Sequence, residues 1–304
     1  MSGNQITILG VDEAGYGPRL GPLVVGLSAF RVPADLVDLR AALPITTQVS
    51  GPLPVADSKE VYRAGEGLHL LEATVLAFRD AARDATVPDQ LSGPRPPWSG
   101  SFPELPVAAD AERAARSASA LSTALEESGV EVLAVGTRTV EVREFNRGAT
   151  ERDENKATLL FDIAMELVAP FAESSGEVHV FVDRHGGRKF YAPLLADRFP
   201  QWFCWVVGES ASCSRYRFDR PGGALRFSFE VGGDGLHLPI ALASMAAKYV
   251  RELHMRAFNA WFSEGDPDLR PTAGYYGDAS RWLAESETLR RRLSVDDADL
   301  IRVR

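Results

Sequence analysis

The segment Ile8 to Leu23, ILGVDEAGYGPRLGPL, runs from an apolar strand into Asp12 and Glu13 and then into a stretch with three glycines and two prolines. Neighbouring residues on a strand point to opposite faces. An acidic pair at the end of a buried strand therefore turns at least one carboxylate towards a packed face, where it needs a positive partner. A metal-bound phosphate is one such partner.

Periodicity extends this start into an α/β pattern. Gln5 to Val11 reads as a central strand and Pro22 to Phe30 as its antiparallel partner. Leu68 to Ala82 and Ala108 to Glu127 have helical spacing, and Glu131 to Val135 is a short strand. Thr139 to Phe145 opens a helix that the charged stretch Arg147 to Glu154 interrupts, and helix resumes from Asn155 to Ala169, stopping at Pro170. Val178 to Val182 (VHVFV) reads as a buried strand that stops at Asp183. Phe203 to Phe218 and Ala224 to Val231 read as a hairpin around Asp219 to Gly223, and Pro239 to Phe262 as a long helix whose small residues suit close packing on the sheet. Val87 to Pro106, with six prolines, reads as a surface loop or insertion. With 304 residues, 45% of them hydrophobic, the expectation is one domain over 1–304 with insertions at about 85–107 and 204–231.

Composition narrows the chemistry. No run of about 18 apolar residues occurs and Met1 to Gln5 has no signal-like character, so the expected location is the cytoplasm. Cys204 and Cys213 lack zinc spacing and five scattered histidines offer no imidazole site, so a metal here would be held by oxygen. A formal net charge of -9 argues against a protein that coats nucleic acid, while leaving room for a local basic groove. Arg184, Arg188 and Lys189 form one basic cluster; in another, Arg215, Arg217, Arg220 and Arg226 alternate with Tyr216, Phe218 and Phe227. Stacking and phosphate contact on a nucleic-acid-binding ribbon, or a charged sheet edge protected against aggregation, both fit the second cluster.

Four acids share one setting: Asp12 and Glu13 after the first strand, Asp183 after VHVFV, and Asp234 in VGGDG before the long helix. Glu209, in VVGES, competes for the fourth place, and Asp234 is preferred for its distance to Ser244 and Lys248. Hard divalent cations take carboxylate and water oxygens, and a pair about 4 Å apart clamps the attacking and leaving oxygens of a phosphodiester.

DEAGYGPRLGPLVVG is similar to the DEAGRGPLAGPVV signature of type 2 ribonucleases H, the ribonuclease HII family. VADSKEVY resembles the family's DSK motif at Asp57, Ser58 and Lys59, VFVD its third acid at Asp183, and VGGDGLHLPIALASMAAKYVRELHM its fourth-acid stretch, with Asp234, Ser244 and Lys248. AGYYGD resembles the later KGY segment, with Tyr275 in the tyrosine position. The resemblance implies an RNase H-like α/β fold, a central mixed sheet flanked by helices, with the proline-rich loop and the hairpin as insertions. It implies catalytic and metal-ligating roles for Asp12, Glu13, Asp183 and Asp234, two Mg²⁺ or Mn²⁺ ions, and substrate contacts from Gly15, Tyr16, Gly17, Ser58, Lys59, Lys248 and Tyr275. The implied activity is endonucleolytic hydrolysis of the RNA strand of an RNA–DNA hybrid, or at a ribonucleotide embedded in duplex DNA, leaving 3′-hydroxyl and 5′-phosphate ends.

Two departures bear on specificity. Tyr16 stands where the family has an arginine between two glycines, so the turn keeps its shape and loses its guanidinium, and stacking on a base or covering the core are equally open roles for its ring. Asp183 is followed by Arg184-His185-Gly186-Gly187-Arg188-Lys189, which places Arg184 as a candidate phosphate contact. Two other functions stay open: a noncatalytic hybrid-binding protein, and a metal-dependent nuclease for another nucleic acid.

Overall fold

The computed structural model describes residues 5–36, 39–43, 53–62, 67–82, 95–101, 103–151, 155–174 and 176–303. Strand β1 (Gln5–Ala14) sends Leu9 and Val11 to one core and Ile6 and Ile8 to another, as period-two alternation requires of a strand covered on both faces. It continues through the acidic pair to Ala14, three residues beyond the expected end. Strand β2 (Leu23–Pro33) returns antiparallel to it from Val24 to Pro33, with Asp12 opposite Gly26.

The short helices α1 (Leu39–Ala42) and α2 (Ser58–Val61) precede α3 (Leu68–Ala81) and α4 (Ala111–Ser128). The α4 start is set by Asp110, whose side chain accepts the Arg113 N–H at 2.7 Å. Strand β3 (Glu131–Val140) runs five residues past its expected end, replacing the expected helical opening at Thr139. Its β-branched TRTV ending pairs with β2 up to Val140 opposite Leu23, and α5 (Val142–Thr150) starts only afterwards. Helix α6 (Lys156–Ala172) passes through Pro170, because Phe171 and Ala172 continue its apolar stripe into the core. The edge of its expected interruption, 152–154, lies outside the described residues.

Strand β4 (Glu177–Asp183) lies parallel to β1, and α7 (Ala192–Arg198) follows it. Residues 204–231 form three strands, β5 (Cys204–Glu209), β6 (Cys213–Arg220) and β7 (Gly223–Glu230), where a hairpin was expected. β7 joins the sheet parallel to β4, so this region extends the sheet itself. The order β3-β2-β1-β4-β7-β6-β5 is a mixed seven-stranded sheet flanked by helices, the α/β architecture expected.

Helices α8 (Gly233–Leu236) and α9 (Leu238–Gly265) lead from β7 back across β1 and β2. With α3 and α4, α9 covers one sheet face, while α5, α6 and α7 pack with the other. A third apolar cluster joins the end of α9 to α10 (Tyr276–Glu285), α11 (Glu287–Arg292) and α12 (Asp297–Leu300). Trp98 is buried in it, 5.1 Å from the Phe258 ring centroid, so this described part of the proline-rich segment is packed. Residues 83–94 and 102 of that region lie outside the described residues.

The α9 contact is close enough to demand glycine. A Cβ on Gly10 would sit 2.0 Å from the Pro239 carbonyl carbon, and both neighbours are backbone. Gly10→Ala is therefore expected to cost about 3 kcal/mol of stability through overpacking, read as a lowered melting temperature by calorimetry.

Candidate active site

The carboxyl ends of β1 and β4 lie side by side, and strand parity decides which acids meet. Asp12 shares the face of Ile8 and Gly10, towards α9, and Asp183 shares the face of His179 and Phe181, which are the β4 partners of Ile8 and Gly10. Asp12 and Asp183 therefore point to the same side of the sheet. The tight turn after β7 brings Asp234 to them. A cavity of about 430 Å³ is lined by these three aspartates and by Glu13, Gly15, Ser58, Lys59, Lys248 and Tyr275. Nine of the twelve expected site residues are thus brought together.

Each aspartate is oriented through one carboxylate oxygen. Asp12 Oδ1 accepts the Glu13 N–H at 2.7 Å, Asp183 Oδ1 that of Gly233 at 2.8 Å, and Asp234 Oδ1 that of Gly235 at 2.9 Å. Burial, and then the charge of Asp183, push the Asp12 carboxyl up to about 8, although a hydrogen bond from Ser244 offsets part of the rise. Burial and the neighbouring Asp12 charge hold Glu13 well above the carboxylate range. Asp183 is raised by burial and by Asp234, with Lys59 acting against them. Like charges in a dry place raise one another's pKa.

Around the acids stands a cationic wall. Asp57 caps α2 by accepting the Lys59 N–H at 2.8 Å, which fixes the loop bearing Lys59, and Ser58 and Ser244 hydroxyls hydrogen-bond at 3.2 Å. Lys248 donates to Glu252 at 2.7 Å and lies 4.9 Å above the Tyr62 ring. Arg251, one turn further along α9, is buried, stacks 5.6 Å beneath the Tyr275 ring and donates to the Ala273 carbonyl at 3.2 Å. Its place was missed in the sequence. Ser244, Lys248 and Arg251 follow i, i+4, i+7 spacing, and that one-face pattern was the available signal.

Backbone contacts hold the loops. Gly15 has φ +84°, and a Cβ there would meet Arg251 Nε at 2.5 Å, so the turn needs glycine on both counts. The buried Arg302 donates to the Gly15 carbonyl and lies 4.5 Å over the Phe145 ring. Arg40 donates to the carbonyls of Val55 and Asp234, each at 3.1 Å, tying the Asp57 loop to the Asp234 turn.

Three expected contacts lie elsewhere. Arg184 is buried and donates to the Ser210 and Ala211 carbonyls and to Ser214 Oγ, so it staples the β5–β6 turn and does not face the cavity. Tyr16 is half-buried against the core, and Gly17 is exposed beside it. Glu209 lies at the outer strand of the sheet, accepting a hydrogen bond from Tyr216, so Asp234 is the acid that reaches the site.

The donor set is entirely oxygen, mutually repelling and partly desolvated, which suits a hard divalent cation. Its side chains line the cavity without closing on a point: among the described residues, no three His, Cys, Asp or Glu groups form a ready-made metal cage.

The fold and cavity together define a mixed α/β protein with an acidic, cation-walled cleft at its strand ends. No protein-family model matches the chain, and no curated protein does. Solved structures similar to it include ribonuclease H2 from Pyrococcus horikoshii OT3, 14% identical over 97% of this chain and 92% of that one, with a TM-score of 0.49. Another is RNase HII in its PCNA complex from Archaeoglobus fulgidus, 14% identical over 98% and 94%, with a TM-score of 0.46. Bst-RNase HIII in complex with Mn²⁺ is 15% identical over 99% of this chain and 68% of that one, with a TM-score of 0.41. Among the described residues, no helix is long and apolar enough to cross a membrane.

Proposed function

We propose that this protein is a divalent-metal-dependent endonuclease of the type 2 ribonuclease H kind, acting on the RNA strand of RNA–DNA hybrids or on ribonucleotides embedded in duplex DNA. The observation that carries the reading is the pairing of Asp12 and Asp183 on one sheet face, at adjacent parallel strand ends, with Asp234 in the same cavity. Asp12, Glu13, Asp183 and Asp234 would hold two Mg²⁺ or Mn²⁺ ions. Bound there, such ions supply a nucleophilic water at neutral pH and offset charge developing on the phosphate. Lys59 and Lys248 face the same space and attract phosphate oxygens. The Gly15 backbone and the exposed Tyr275 ring offer surfaces to a sugar. With Tyr16 turned to the core, ribose recognition falls to backbone groups and Tyr275, which predicts looser discrimination at a ribonucleotide–deoxyribonucleotide step.

The test is cleavage of a DNA duplex containing one ribonucleotide, an RNA–DNA hybrid and an all-DNA duplex, each with Mg²⁺ and with Mn²⁺. Both ribose-containing substrates should be cut to 3′-hydroxyl and 5′-phosphate ends, and Asp183→Asn should lower the rate on the order of 10³-fold. Equal cutting of all-DNA duplex would make the protein a nuclease for a different substrate. Hybrid binding without cleavage under either metal would make it a binding protein.

A further inference from the structure

Among the described residues, helices cover only half of the sheet face that presents Asp12 and Asp183. α9 crosses β1 and β2, and beyond β4 the same face continues over β7, β6 and β5. Register fixes what it shows: His179 pairs with Arg226, Arg226 with Arg217, and Arg217 with Trp205, while Ser228 pairs with Arg215. The expected aromatic partners of these arginines face the other way: Tyr216, Phe218 and Phe227 are buried in the core. A sheet face meant for a helix would carry apolar residues at these alternate positions. Here it carries guanidinium groups, the carboxylates of Glu177 and Asp219 that pair with two of them, and one half-exposed indole.

We infer that this shelf, bearing Arg215, Arg217, Arg226 and Trp205, seats the phosphodiester backbone of a duplex whose reacting strand lies over Asp183. The inference rests on the nuclease reading for its register, and on charge and continuity for its occupant. Asp183 lies on the shelf's own face, where the short α8 and His237, stacked 4.3 Å from the Phe181 ring, form a low ridge that a strand leaving the acids passes before it reaches the arginines. At about 3.3 Å per residue along strands and about 4.8 Å between them, Arg215 and Arg217 start on the order of 12–16 Å from Asp183. At about 3.4 Å per nucleotide, that is roughly four nucleotides. Arg217 bonds Asp219 and Arg226 bonds Glu177, each at 2.7 Å, and such exposed pairs are weak enough to exchange for phosphate. Arg215 is exposed and makes no ion pair among the described residues.

The experiment measures binding of a fluorescent RNA–DNA hybrid by anisotropy in Ca²⁺, across a salt series, for wild type and for Arg215→Ala/Arg217→Ala/Arg226→Ala, with melting curves as the folding control. The triple variant should bind roughly 10- to 100-fold more weakly, with the log–log salt slope reduced by about 2–3. A hybrid too short to reach the shelf should bind both proteins alike. If the triple variant does not fold, Arg215→Ala alone should reduce the slope by about 1. An unchanged affinity and slope in a wild type that cuts hybrid would overturn the inference and spare the nuclease reading. Weakened binding by a protein that never cuts would do the reverse. Sedimentation showing a dimer that the triple substitution dissociates would assign the face to a second copy and also overturn it.

Discussion

Asp12→Asn is expected to stabilise the metal-free protein while abolishing metal-dependent cleavage. Asp12 is buried beside Asp183, and the two conditions raise its folded pKa from 3.8 to about 8. A carboxyl raised in this way favours the folded state while protonated, at pH below about 4, and loses that contribution as pH climbs towards 8. The asparagine keeps the oxygen that accepts the Glu13 N–H and removes the charge. Its advantage should be absent near pH 4 and grow to about 2 kcal/mol at pH 8, a melting temperature higher by roughly 5 °C. Thermal melts of both proteins in chelator across that range make the comparison, and a variant less stable at pH 8 would contradict it. Activity should fall on the order of 10³-fold in the same variant, since the removed charge is a proposed ion ligand.

Glu72 has the opposite sign and lies far from the chemistry. Its side chain is fully buried on α3, accepting the N–H groups of Val107, Ala108 and Ala109 at 2.7, 2.6 and 2.5 Å and the Tyr249 hydroxyl of α9 at 2.6 Å. Burial alone would raise its pKa, but the Tyr249 hydroxyl and the three amides together bring it below the ordinary value. A depressed carboxyl supports the fold above its unfolded pKa and ceases to do so as acid protonates it. Glu72→Ala leaves these buried donors without an acceptor, so about 4 kcal/mol should be lost, or roughly 10 °C in melting temperature. The loss should shrink below pH 4. Cleavage per folded molecule should be unchanged at a temperature where the variant is folded, because Glu72 touches nothing in the acidic cavity.

The acids were legible in the sequence because each ends an apolar run, and strand ends are where a parallel sheet gathers side chains from distant segments. The alternation of arginines and aromatics after Cys213 was equally plain. Its meaning was not, because parity says which residues share a face and only the path of α9 says which face stays open. Arg184 looked like a phosphate ligand because it follows Asp183, yet one residue along a strand reverses direction, and it found the carbonyls of the β5–β6 turn. β3 ran long because pairing with β2 outweighed local helical spacing at Thr139. Arg40's grip on the Asp234 carbonyl spans 194 residues of sequence, and no local pattern announces a contact of that separation.

The contact between Arg302 and the Gly15 carbonyl joins residues 287 positions apart. Translation makes them in that order, and at about 5–20 residues per second the loop beside the acids waits roughly 15–60 s for its guanidinium. β1 and β2 can pair as soon as they emerge, but the Gly15 turn acquires its final support only when the segment around Arg302 folds back past Leu20. A nascent chain still being made near its own messenger therefore holds its carboxylates in an unfinished cleft, and the site matures only after the rest of the sheet is in place.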